Sequence, residues 1–127
     1  MPSAAGEDPA RLTTEWTHLV LVLLEGRLDE PEDAALVDRA LRWAERSAKQ
    51  VVVDLSGVTF MDARTLGSLL MPLRRSGALP WLAGPLSAPV ARRLSVTGTA
   101  ERFRIFPALP KAAGTARDEA MNPPSED

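Results

Sequence analysis

Three carboxylates stand where elements of this chain are expected to end: Asp29, Asp54 and Asp62. Paired carboxylates can share acid–base work, and with a threonine and waters two of them can hold a divalent ion. The simpler reading is that two cap helices while the third ends a strand or satisfies a turn. A small metal-dependent enzyme built on Asp29 and Asp62 is the remoter alternative. Little else could assist catalysis. Cysteine is absent and histidine occurs once, as His18, which removes thiol chemistry, disulfides, cysteine zinc sites and paired-histidine metal motifs. His18 falls in a predicted strand, away from any nucleophile loop, and reads as a partly exposed strand-end residue. Gly57 and Gly84 are isolated, so no glycine-rich loop follows a strand to cradle phosphate. The Arg74-Arg75 and Arg92-Arg93 pairs lack interleaved aromatics and read as solvated helix faces. No catalytic residue, cofactor or metal is expected.

The elements that must position these residues belong to one domain. The chain has 127 residues (13.7 kDa), 45% of them hydrophobic and 25% charged, the balance of a globular protein with a single core. Its 15 basic and 17 acidic residues leave a net charge of −2. That gives no electrostatic case for nucleic acid or an anionic membrane. The longest apolar run, residues 19–24, is far below the ~20 residues of a membrane helix, so no direct membrane insertion is expected. Residues 1–10 lack the apolar stretch of a secretory signal, and a cytoplasmic location is expected. Residues 1–10 and 110–127 are proline-bearing and read as flexible tails around a domain at 11–109.

Within that domain, residues 11–16 make a weak strand, and residues 18–25 a strong one, apolar on both faces as a central strand should be. Pro31 suits the first turn of a helix capped by Asp29 or Glu30. Leu36, Val37, Ala40, Leu41 and Ala44 form its apolar stripe, with Trp43 at the border. Residues 50–55 are the clearest strand; Ser56-Gly57 reads as a turn, and residues 58–61 as a short extended approach to Asp62. Asp62 can cap the next helix by accepting from the N–H of Arg64 or Thr65. Leu66, Leu69, Leu70 and Leu73 line one side of that helix, which Pro72 is expected to kink or stop near Met71. A strand at 79–83, a helix at 86–96 and a strand at 103–106 follow. Strands alternating with helices in this order imply an α/β sandwich with a mixed sheet.

Residues 51–70, Val-Val-Val-Asp-Leu-Ser-Gly-Val-Thr-Phe-Met-Asp-Ala-Arg-Thr-Leu-Gly-Ser-Leu-Leu, resemble the signature of the STAS family, the sulfate-transporter and anti-sigma-factor-antagonist domain. In that family an apolar strand ending Asp-Leu-Ser leads to Phe-Met-Asp and an Asp-Ser-Ser-Gly-Leu-type loop that opens a helix. Glu25-Gly26-Arg27-Leu28-Asp29 looks like the family's Gly-Glu-Leu-Asp stretch. Leu82-Ala83-Gly84-Pro85, Arg92-Arg93-Leu94 through Gly98, and residues 103–106 look like its later strand, helix and last strand. The likeness spans residues 11–109 and implies a STAS-like sandwich, a central mixed β-sheet with helices packed mainly on one face. It also implies a non-enzymatic regulatory module of the anti-sigma factor antagonist (anti-anti-sigma factor) type, a bacterial partner-switching protein in transcription regulation. The implied partner is an anti-sigma factor of the serine-protein-kinase type, contacted through Asp29, Met61, Asp62, Ala63, Arg64, Thr65 and Ser68. Breadth of the family leaves a scaffold, a ligand-sensing subunit or a transporter-associated subunit as alternatives.

The departures from the pattern matter. Antagonists of this family are phosphorylated on the serine directly after the loop aspartate, and phosphate ends binding. Here that position is Ala63, which has no hydroxyl, so the family's phosphosite is missing. Arg64 takes the second serine position and Thr65 the place of glycine. Thr65 and Ser68 are the neighbouring hydroxyls that could stand in, although both read first as helix-surface polar residues. An arginine in a first helical turn opposes the helix dipole. Arg64 is therefore expected to fold back on an acid such as Asp29, or else to meet an acidic or phosphate-bearing partner. Members of the family commonly run this helix about a turn further, which bears on the partner surface. Oligomeric state and the order of the tails on binding are not set by these residues.

Overall fold

A computed structural model describes residues 9–122. A short 3-10 turn, Pro9–Leu12, leads into β1 (Thr13–Glu15), β2 (Leu19–Leu28), α1 (Pro31–Glu45), β3 (Gln50–Met61), α2 (Ala63–Ser76), β4 (Trp81–Ala83), α3 (Ala88–Val96), β5 (Ile105–Phe106) and α4 (Leu109–Met121). The five strands lie in sequence order, with β1 antiparallel to β2 and every later pairing parallel. This is a mixed sheet. Right-handed crossovers that always step to the next strand in one direction put their helices on one face. Thus α1, α2 and α3 share a face, and their Val37, Leu41, Leu66, Leu69, Val90 and Leu94 close the main core over Val22, Val53, Leu55 and Leu82 of the sheet. Arg75, expected on a solvated face, instead bridges α2 to α1 through Asp38 Oδ1 (3.1 Å) and Glu45 Oε2 (3.0 Å).

The second face is covered by α4. Of residues 110–127, expected to be a flexible tail, 123–127 lie outside the described residues, and the structure corrects the expectation for the others: a helix occupies Leu109–Met121 and buries Ala112 and Ala116 against Leu19, Leu21, Val52, Trp81 and Phe106. Pro110 sits in its first turn, where no backbone donor is needed. Small side chains let the helix lie close, and the apolar sheet surface beneath supplies a stabilisation that composition alone does not reveal. The domain thus extends past residue 109. Of the expected N-terminal tail, residues 1–8 lie outside the described residues, while Pro9 and Ala10 belong to the 3-10 turn.

Two local expectations, a stop of α2 near Met71 and a turn at Ser56-Gly57, fail for physical reasons. Pro72 does not stop α2, which continues to Ser76 and ends at Gly77 in the left-handed conformation (φ 78°). The proline removes the donor that would pair with the Ser68 carbonyl, but its ring is buried in the helix's packed side. Ser56-Gly57 is not a turn either; it lies within a continuous β3. Ten residues of β2 run beside twelve of β3, so β3 carries two extra residues, at register shifts opposite Leu23–Glu25 and Gly26–Arg27. Each bulge reverses which side chains face the core. Core-facing positions therefore run Val53, Leu55, Val58, Met61: Val58 turns inward between the bulges, and the second bulge restores the original phase, with Met61 in and Phe60 outside the core.

Candidate protein-docking site at the carboxyl end of the sheet

The bulges bring β2 and β3 to a flush finish. Leu28 pairs with Met61, and the next N–H, of Asp62, donates to the Leu28 carbonyl at 3.0 Å. The two loops that follow therefore lie side by side. In the first, Asp33 Oδ2 accepts from the N–H groups of Asp29 (3.1 Å) and Glu30 (3.0 Å), which opens α1. In the second, Asp62 is extended (φ −89°, ψ 178°) and its Oδ1 accepts from the Thr65 N–H at 3.0 Å, the expected N-cap of α2.

Arg64 completes the join. Its Nε and Nη2 donate to Asp62 Oδ2 at 2.9 and 2.7 Å, and Nη2 also donates to the main-chain carbonyl of Asp29 at 2.8 Å. The expected fold-back on Asp29 thus takes place, but through the backbone; the Asp29 carboxylate is engaged by Arg27. A guanidinium in a first helical turn opposes the dipole by about 0.3–1 kcal/mol when exposed. The Asp62 carboxylate, two residues earlier, offsets that. Burial alone pushes the Asp62 carboxyl up, but the Thr65 N–H and the Arg64 guanidinium together outweigh it and hold the group below its ordinary value of 3.8.

Several anticipated contact residues do not face outward. Met61 is 0% exposed and belongs to the core; its carbonyl accepts from Arg93 Nε at 3.2 Å. Thr65 and Ser68 are not helix-surface residues. Thr65 is 0% exposed with its hydroxyl toward the Leu28 carbonyl (3.4 Å), and the Ser68 hydroxyl donates to the Ala34 carbonyl of α1 at 2.7 Å. Both hydroxyls fasten α2 to the body of the fold. Asp29, Asp62, Ala63 and Arg64 do lie together at the rim, with Ala63 and Arg64 exposed. Beside them is a residue that sequence reasoning passed over. Phe60 carries the guanidinium of Arg27 over its ring at 4.3 Å and that of Arg93 at 5.9 Å. The available signal was plain alternation, which from Val53 and Leu55 already puts Phe60 on the outward side.

Asp29 and Asp62, the pair considered for a divalent ion, each hold a guanidinium. Among the described residues there is no cluster of three or more His, Cys, Asp or Glu able to hold a metal. Asp54 is buried in β3, where its Oδ1 accepts from the Ser56 N–H at 2.9 Å across the first bulge. His18 immediately precedes β2, at the other end of the sheet.

A mixed sheet with three crossover helices on one face and a capped loop at the start of α2 defines the class. A family model described as "Mlab, STAS domain" matches residues 13–99, and the chain belongs to the STAS domain family. Solved structures share the fold. The crystal structure of an anti-sigma factor antagonist from Mycobacterium paratuberculosis aligns with a TM-score of 0.69 at 23% identity, covering 84% of this chain and 92% of that one. A Thermotoga maritima protein described as a candidate anti-sigma factor antagonist aligns with a TM-score of 0.68 at 21% identity, over 83% of this chain and 92% of its own. No curated protein matches the chain. Among the described residues, no helix is long and apolar enough to cross a membrane.

Proposed function

We propose that this STAS domain is a non-enzymatic regulatory module of the anti-sigma factor antagonist kind, acting in the cytoplasm on an anti-sigma factor of the serine-protein-kinase type. The docking surface is the rim formed by Asp29, Asp62, Ala63 and Arg64. The carrying observation is Ala63: it is the exposed first residue of α2, directly after a formed aspartate cap, and it ends in a methyl group. A phosphate there would bring nearly two negative charges to an interface fitted to a neutral side chain. Ala63 cannot take one. The hydroxyls of Thr65 and Ser68 are occupied inside the fold, so neither is presented to a kinase. The module therefore holds its partner without an off state, and its abundance sets the response.

Incubation with a serine-kinase anti-sigma factor and ATP tests this. A stable complex without phosphate incorporation supports the reading, and Ala63→Ser should then accept phosphate and release the partner. Absence of a complex points instead to a scaffold, ligand-sensing or transporter-associated subunit, the last detectable by co-purification with a membrane complex.

A further inference from the structure

The rim continues into a groove between β3 and α3. Ser87 caps α3 and donates its hydroxyl to the Thr59 carbonyl at 3.2 Å, while Arg93 donates to the Met61 carbonyl, so α3 is held against the end of β3. Between them lies a space of about 340 Å³ lined by Phe60, Ala88, Pro89, Arg92, Arg93 and Val96. Its floor is apolar, and Val96 is 77% exposed, more than any other large hydrophobic among the described residues. Its walls carry two guanidiniums and no carboxylate. The contrast with the neighbouring rim is informative. Arg27 and Arg64 are paired with Asp29 and Asp62. Arg93 has only a carbonyl and an aromatic ring, and no ion pair is formed by Arg92 among the described residues. A chain of net charge −2 thus concentrates uncompensated positive charge around an exposed apolar patch.

We infer that this groove is a second docking subsite for an acidic protein segment that places one apolar side chain on Phe60 and Val96 and carboxylates on Arg92 and Arg93. The inference deepens the reading of this end of the sheet as a protein-docking face and rests on that reading. Charge complementarity selects the occupant: carboxylates meet the arginines, and the apolar anchor removes Val96 from water. A basic segment would meet like charge and be rejected.

Titration of the full ¹⁵N-labelled chain with a short peptide of glutamates flanking one leucine tests the subsite directly, with a lysine–leucine peptide of equal length as control. The glutamate peptide should shift the amides of Phe60, Arg93 and Val96 saturably, and the lysine peptide should not. Arg92→Glu, and separately Val96→Asp, should weaken that binding about tenfold or more while leaving the remaining amide spectrum in place. No saturable shift, equal shifts with both peptides, or binding indifferent to both substitutions overturns the inference. The two readings separate cleanly. A kinase complex that forms equally well with Arg92→Glu leaves the rim as docking site and removes the groove. Peptide binding at the groove without any kinase complex removes the anti-sigma reading and keeps the groove.

Discussion

Arg64 donates from its guanidinium to the main-chain carbonyl of Asp29 at 2.8 Å, although the two are 35 positions apart in the chain. The same guanidinium holds the Asp62 carboxylate, so one exposed side chain ties the first turn of α2 to the β2–α1 junction. The two halves of the rim are thereby fixed relative to each other, which on the proposed docking role lowers the ordering cost of binding.

Arg64→Ala should lower stability by about 1 kcal/mol, because the hydrogen bonds come from an exposed side chain and relief of the unfavourable dipole contact returns part of the loss. Arg64→Lys should recover little of it, since a lysine cannot fork between a carboxylate and a carbonyl. Urea unfolding read by tryptophan fluorescence checks both.

Asp62→Ala should cost about 0.5–2 kcal/mol by removing the cap of α2, and Asp62→Asn less, because asparagine also caps. The folded carboxyl lies below its ordinary value of 3.8. Its contribution is therefore fully present above that value and is lost as pH falls through the folded one. The stability gap between the parent chain and Asp62→Asn should be widest near neutrality and should close in acid; a gap that widens in acid would show the sign to be wrong.

Met61→Ala should act on the fold. Its side chain is fully buried, and truncation should cost about 2–5 kcal/mol through lost transfer energy and a cavity. A shift of the unfolding midpoint is the expected readout. Weakened partner binding at undiminished stability would instead return Met61 to the interface.

Removing residues 109–127 should bare Leu19, Leu21, Val52, Trp81 and Phe106, the surface that α4 covers. Tryptophan emission should move to longer wavelength, and the chain should self-associate, as light scattering would report. Ala116→Asp should reproduce the emission change by placing an unpaired charge in that contact.

The apolar stretches of β2 and β3, the leucine stripe of α2 and the aspartate before it announce their roles, because periodicity and capping are local properties written in neighbouring side chains. Those local patterns suffice for the α/β class, the order of elements and the position of the rim. Orientation across the fold was decided elsewhere. Two bulges in β3 turn Val58 inward where strict alternation would have pointed Gly57 and Thr59 there, and the second bulge restores the phase that puts Met61 inward and Phe60 outward. Thr65 and Ser68 become fasteners because α1 and the end of β2 offer carbonyls at the right distance. The alanines of α4 order because a bare sheet face waits beneath them. Each of these outcomes depends on what a distant segment presents, and that is information only the assembled core contains.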